Sequence, residues 1–189
     1  MGRPREFDED DLLEKATDLF WRKGFEAVSV RDLAEATGVK MASLYAAYGD
    51  KRGLYRAALD HYERKVVAPT IEAVLAAGAP RARIARLLQA PIDDAAKGDR
   101  RGCFLCNATI DQAGEDAAAA KFAAECMGRV EAAIARALSD RPPYDKNLSA
   151  RRRAAQRLLA DYLGMRVLAR GGAALSTLRN IRSEALERL

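Results

Sequence analysis

Apolar residues recur at helical spacing along almost the whole chain. Leu12, Ala16, Leu19 and Phe20 stand at i, i+4, i+7 and i+8, which gathers them on one side of a helix that begins among acidic residues and runs to about Lys23. Gly24 stops that helix, being tolerant of the left-handed C′ conformation, and Phe25 supplies the apolar contact that accompanies such endings. Ser29 is placed to cap a second helix, with Asp32 at its third position as a short capping box. Val30, Leu33, Ala34 and Thr37 form its inward stripe, and Gly38-Val39 makes a tight turn. A third, short helix is predicted from about Lys40 to Tyr48; Gly49 ends it and Asp50 caps a fourth.

Beyond this point the pattern predicts helices over 51–77, 81–97, 103–112, 116–139, 148–170 and 173–189. The breaks between them are Gly78-Ala79-Pro80, Gly98-Asp99, Ala113-Gly114-Glu115, Arg141-Pro142-Pro143 and Gly171-Gly172. Pro91 is expected to bend or break its helix, since proline removes a donor and crowds the preceding turn. Alternating Val/Ile/Thr-rich stretches are missing, so the expected class is all-α with about nine helices. No solenoid-like period repeats, and the run Ala117 to Ala120 is ordinary helix filler.

Composition narrows the classes further. The chain has 189 residues, of which 49% are hydrophobic, enough to bury a core. No apolar run approaches the roughly 18 residues needed to span a bilayer, and MGRPREFDEDD has no signal-like apolar stretch, so a cytoplasmic protein without membrane partners is expected. Three cysteines, an odd number, argue for reduced thiols rather than a disulfide framework. The net charge of +5 permits a polyanionic partner but does not locate its site. Residues 1–65 hold 12 Lys/Arg against 13 Asp/Glu, and the acids at 8–11 complement the positive end of the first helix.

The informative stretch is SVRDLAEATGVKMASLYAAYGDK at residues 29–51. Two short helices about a Gly38-Val39 turn have the proportions of a helix-turn-helix, whose second helix enters the major groove. Nine residues make a marginal helix in isolation, so packing through Leu44 and Tyr48 must hold it while Lys40, Met41, Ser43, Tyr45 and Ala47 stay available.

In these residues the chain resembles the TetR family of bacterial regulators: Thr37-Gly38-Val39, Ala42, Ser43, Leu44-Tyr45, Tyr48 and Gly49-Asp50-Lys51 follow the family pattern over about 50 residues. The resemblance implies a DNA-binding domain over 1–53, an effector-binding and dimerisation domain over 54–189, and a dimeric repressor of a palindromic operator. It makes Ser29, Arg31, Ser43, Tyr45 and Lys51 expected DNA contacts, with Leu44 and Tyr48 as core, and the open face of the third helix adds Lys40, Met41 and Ala47. Met41, Ala46 and Ala47 depart from positions often polar in the family, which favours sparse, partly apolar readout such as thymine-methyl contact.

The C-terminal part is similar more loosely, through RGCFL at 101–105 and GMRVLARGG at 164–172. The resemblance implies that the last two helices form the dimer interface, for which Leu158, Tyr162, Met165, Leu175, Leu178 and Ile181 are the candidates, and that the middle helices bind an unidentified small-molecule effector. Cys103, Cys106, Asn107 and Tyr62 are the effector or sensor candidates. Two readings of Cys103-x-x-Cys106 stand open: buried inert thiols, or a sensor in which Arg100, Arg101 and a helix N-terminus favour the Cys103 thiolate and Cys106 resolves it. Metal and cofactor are not expected, because a zinc site wants four ligands and only distant Cys126 and His61 could join the pair. His61 is expected on the helix surface or lining a pocket, with no nucleophile near it in sequence. The competing functions are a redox protein or enzyme using the cysteine pair, and a DNA-binding regulator without a ligand.

Overall fold

A computed structural model describes residues 8–111 and 116–189; the Ala113-Gly114-Glu115 break lies outside the described residues. All regular structure among the described residues is helical. α1 is Glu9–Lys23, α2 Val30–Thr37, α3 Met41–Tyr48, α4 Lys51–Tyr62, α5 Ala68–Leu75, α6 Pro80–Ala96, α7 Phe104–Asp111, α8 Ala117–Ala137, α9 Leu148–Arg170 and α10 Leu175–Glu187. α4 and α5 are one rod joined through a π-helical turn, Glu63–Val67, where a single helix over 51–77 was expected. Pro69 stands just past that wide turn; it cannot donate to the carbonyl four residues back, and a wider turn relieves the clash of its ring with the rod. Pro91 neither ends nor interrupts α6, which runs on to Ala96; its ring is buried in the core and its fixed φ suits a helix.

The N-terminal helices begin and end by local chemistry. Asp8 caps α1 by accepting the Asp10 N–H at 3.0 Å, and acids in the first turn with Arg22 and Lys23 in the last complement the helix dipole. Gly24 has φ 81° and ψ 165°, so its backbone is extended on the positive side rather than left-handed helical. Ser29 and Asp32 form the expected capping box, with the Asp32 N–H reaching Ser29 Oγ at 3.1 Å and the Ser29 N–H reaching Asp32 Oδ2 at 2.8 Å. Gly38 at φ 74°, ψ 8° is left-handed and turns the chain directly into α3.

α4 is the shared element. It packs against α1 and α3 and also meets α7 and α8. The Thr17 hydroxyl donates to the Ala58 carbonyl at 3.2 Å inside the α1–α4 seam. An aromatic cluster crosses the same region: Tyr55 lies edge-on to Phe20 and Phe25, both at 5.0 Å, and Phe104 of α7 lies edge-on to Tyr55 at 5.5 Å and Tyr62 at 5.7 Å. Trp21 of α1 meets Tyr62 at 4.9 Å. α8 then threads the body against α5, α7 and α9, while α10 folds back on α6 and α9.

The last two helices correct one sequence expectation. Leu158, Tyr162, Met165 and Leu178 are buried within the single chain, Met165 and Leu178 completely, so they build the protomer core and offer nothing to a partner. Leu175 and Ile181 are half-buried against the same core. The outward side of α9 instead carries Gln156, Ala160, Gly164 and the exposed Val167. A Cβ added at Gly164 would meet nothing within 4 Å, so that side is open.

Candidate nucleic-acid interface and effector cavity

α3 is held from one side only. Leu44 is buried at 3% exposure, Tyr48 is half-buried with its hydroxyl donating to Glu9 at 3.4 Å, and Ser43 and Ala47 are half-buried. Its opposite side presents Met41 and Tyr45, each 48% exposed and four residues apart, beside exposed Lys40. Large apolar side chains bared side by side on a short, well-packed helix mark a contact surface. Exposed Arg31 pairs with Glu35 at 3.3 Å on α2. Lys40 begins α3 without a side-chain cap, leaving its ammonium in solvent.

Besides Arg31, two more of the expected contacts have structural partners. The Ser29 hydroxyl donates to Asp32 Oδ2 at 2.6 Å while accepting the Asp32 N–H, so it is engaged in capping. Lys51 donates to the Phe25 carbonyl at 2.9 Å and the Val28 carbonyl at 3.0 Å, with its Nζ 4.1 Å from the Phe25 ring centre. It ties the start of α4 to the loop that sets the angle between α1 and α2, leaving one ammonium N–H for another acceptor.

In the body, Tyr62, Val66, Val67, Thr70, Cys103, Leu105, Met127, Val130, Leu159, Tyr162 and Leu163 surround a small, largely apolar cavity of about 20 Å³, room for about one water. Of the sequence candidates, Tyr62 and Cys103 line it; Cys106 and Asn107 do not. Asn107 instead donates through Nδ2 to the Arg101 carbonyl at 3.2 Å and pins the loop before α7, because its position one turn into the helix turns it back on that loop. Cys103 stands at the cap position of α7: its carbonyl accepts the Asn107 N–H at 2.9 Å, and its sulfur lies beside the Cys106 thiol. The Tyr62 hydroxyl lies 4.0 Å from the same sulfur. These donors, the Cys106 thiol first, hold the Cys103 thiol below its ordinary value, with burial opposing them. Cys106, as the donor, is pushed up.

The cation that serves Cys103 is not the one expected. Arg101 is occupied by Asp99 at 2.6 Å and Asp18 at 2.7 Å and lies over Trp21, 4.0 Å from its ring centre. Arg166, with only 13% of its side chain exposed, supplies the nearby positive charge, held by Asp94 and donating to the Tyr162 hydroxyl at 3.3 Å. Sequence reasoning gave Arg166 no role, since Asp94 and Tyr162 meet it only in the fold. The π-helical Val66 and Val67 were missed likewise; Pro69 was the available signal. His61 takes the second of its two expected places: it is buried and lines a pocket with Trp21, Tyr62 and Arg101, with Nδ1 3.6 Å from Asp10, and burial chiefly lowers its pKa. Among the described residues no cluster of three or more His, Cys, Asp or Glu is arranged to hold a metal.

Residues 12–58, covering α1 to most of α4, match the family described as bacterial regulatory proteins, tetR family. The repressor Rv3405c of Mycobacterium tuberculosis is 31% identical over 160 residues, covering 84% of this chain and 71% of that protein. The chain belongs to the TetR family. The repressor ComR of Escherichia coli is 56% identical over 61 residues, a match that spans 32% of this chain and 29% of ComR. Among solved structures, the TetR regulator CifR, in a cysteine mutant complexed with a 26-bp double-strand operator DNA, superposes with a TM-score of 0.82 at 25% identity over 98% of both chains. The TetR assignment thus covers the reading head by local identity and the whole chain by fold, and no described helix is long and apolar enough to cross a membrane.

Proposed function

We propose that this chain is a transcriptional repressor that binds a palindromic operator as a homodimer and releases it when an effector enters the body. The observation that carries the reading is the bared Lys40, Met41 and Tyr45 side of α3, clamped from behind by Leu44 and Tyr48. The similarity to CifR, solved with operator DNA, and to the repressor ComR supports it. Residues 1–53 read DNA and residues 54–189 sense and dimerise, with α4 as the lever between them. Phosphates are met by Arg31, Lys40, Tyr45 and the remaining Lys51 N–H, and bases by Met41, Ser43 and Ala47. The partner packs on the outward side of α9, along Ala160, Gly164 and Val167, with Thr177 and Asn180 of α10 beside it. Such a protein works in the cytoplasm, needs no cofactor and catalyses no reaction.

Selection of bound duplexes from a random pool tests the reading. The expected product is an inverted repeat whose half-sites lie about one helical turn, or a multiple of it, apart. Tyr45→Ala is expected to weaken binding at least tenfold with the fold intact by circular dichroism. Enrichment of no sequence, or of an asymmetric single site, overturns the reading.

A further inference from the structure

Trp21 and His61, the sole tryptophan and sole histidine of the chain, each leave a buried nitrogen unanswered. Trp21 Nε1 and His61 Nδ1 are shielded from water and meet no hydrogen-bond partner among the described residues. His61 is only 4% exposed, and Asp10 Oδ1 stays 3.6 Å from its Nδ1, beyond hydrogen-bond reach. A buried donor without an acceptor is costly, and native folds leave few of them. Here two stand in the wall of one cleft of about 370 Å³, between α1, the α4–α5 rod and the loop before α7, a size that suits a single-ring molecule.

The unspent groups of this cleft are mainly donors. The indole N–H can only donate, and the Asp10 carboxylate beside His61 favours the tautomer with its proton on Nδ1. Lys65 gives one N–H to Asp10 at 2.8 Å and keeps two. Arg101 spends three of its five donors on Asp99 and Asp18. The acids of the cleft compete weakly for a cation: Asp18 is held by both Arg22 and Arg101 at 2.7 Å, and Glu14 is exposed to water. Tyr62 and Val66 supply an apolar side.

We propose that this cleft binds a small aromatic carboxylate, whose oxygens accept from Trp21 Nε1, His61 Nδ1 and Lys65 while its ring lies against Tyr62 and Val66. An anion with a flat apolar body answers every unspent donor at once, which an amine cannot do. Entry requires a side chain to move, since neither orphan nitrogen touches water; Lys65, half exposed and held by Asp10, swings without disturbing the core. The site is distinct from the apolar cavity of the body, with which it shares the wall of Tyr62 and Val66. Its two sides belong to different parts of the molecule, Trp21 to the reading head and His61 and Lys65 to the rod, so a bound ligand braces the joint that the Thr17–Ala58 hydrogen bond already crosses.

The whole chain labelled with 15N tests this, because a sole tryptophan gives one indole N–H resonance and that resonance belongs to the site. Titration with benzoate is expected to move it saturably, with benzamide binding about tenfold more weakly and benzylamine not at all. Lys65→Met and His61→Gln are each expected to weaken benzoate about tenfold, the loss of one charge-assisted or buried donor. Met127→Leu, in the wall of the other cavity, leaves the titration unchanged. Lys65 is half exposed, so its variant keeps the fold and carries the test even where His61→Gln does not fold. An indole resonance that benzoate does not move saturably overturns the proposal. So does benzamide or benzylamine binding as tightly as benzoate, or an affinity that Lys65→Met leaves unmoved. No operator enters the experiment, so its failure leaves the repressor reading intact.

Discussion

Lys51 is the residue at which the stabilising and DNA-binding roles separate most cleanly, through the substitution Lys51→Met, which keeps the stem and removes the charge. Two charge-assisted bonds, at 2.9 Å to Phe25 and 3.0 Å to Val28, are lost together with the cation held over the Phe25 ring. In a half-buried setting where water can replace part of this, the loss is about 1–2 kcal/mol. For a chain of this size that is a fall of about 2–8 °C in the thermal midpoint, read by circular dichroism at fixed protomer concentration because a dimer's midpoint depends on it. The remaining N–H supplies one phosphate contact per protomer, so the slope of log K against log salt should flatten by about 1.8 for a dimer. The two effects are independently measurable. An unmoved midpoint refutes Lys51 as the tie of the α1–α2 loop, and an unmoved salt slope in the folded variant removes it from the phosphate contacts.

Asp116 is the corresponding bolt between α4 and the body: its carboxylate, 1% exposed, accepts from the Ala118 and Ala119 N–H groups and from both Arg56 Nε at 3.0 Å and Nη2 at 2.9 Å. Asp116→Ala is expected to cost about 2–3 kcal/mol in urea unfolding, combining a lost helix cap with a lost charge-assisted pair. Arg56 holds this carboxyl below the usual range, so its stabilisation is complete above pH of about 4 and drains as the pH falls toward the lowered value. The variant should therefore show a shallower acid limb, and an identical acid limb would contradict the pairing. On α9, Val167→Asp is expected to give folded monomers by sedimentation, whereas Met165→Asp, at a fully buried position, is expected to unfold the chain; a dimeric Val167→Asp places the interface elsewhere.

The parts of this molecule legible in the sequence are those whose cause is local. The capping box of Ser29 and Asp32 and the left-handed Gly38 each rest on groups within a few residues, and they locate α2, the turn and α3 directly. The core position of Leu44 follows from the same segment, since a short helix must bury one side to exist at all. The π-helical turn was not legible in the apolar period, because five residues, Glu63–Val67, are too few to show a period of their own; Pro69 alone hinted at it.

α9 shows where local reasoning ends. Its C-terminal half, with Leu158, Leu159, Tyr162, Leu163, Met165, Val167 and Leu168, is apolar nearly all round, so the sequence announces a doubly covered helix but not which side meets its own chain. The fold gives Leu158, Tyr162 and Met165 to the core and leaves Val167 outside, which reverses the assignment that side-chain size alone suggests. Large residues fill the core because α6, α8 and α10 surround that side, while the outward side keeps Ala160 and Gly164, whose smallness makes sense only if another backbone comes close. The same rule governs the cysteine pair. Cys103-x-x-Cys106 could be read as a pair, but two further groups beside the Cys103 sulfur, Tyr62 and Arg166, stand 41 residues before and 63 after it, and they meet it only in the fold. The charge read from sequence neighbours fails for Arg101, because the fold pairs it with Asp18 and Asp99.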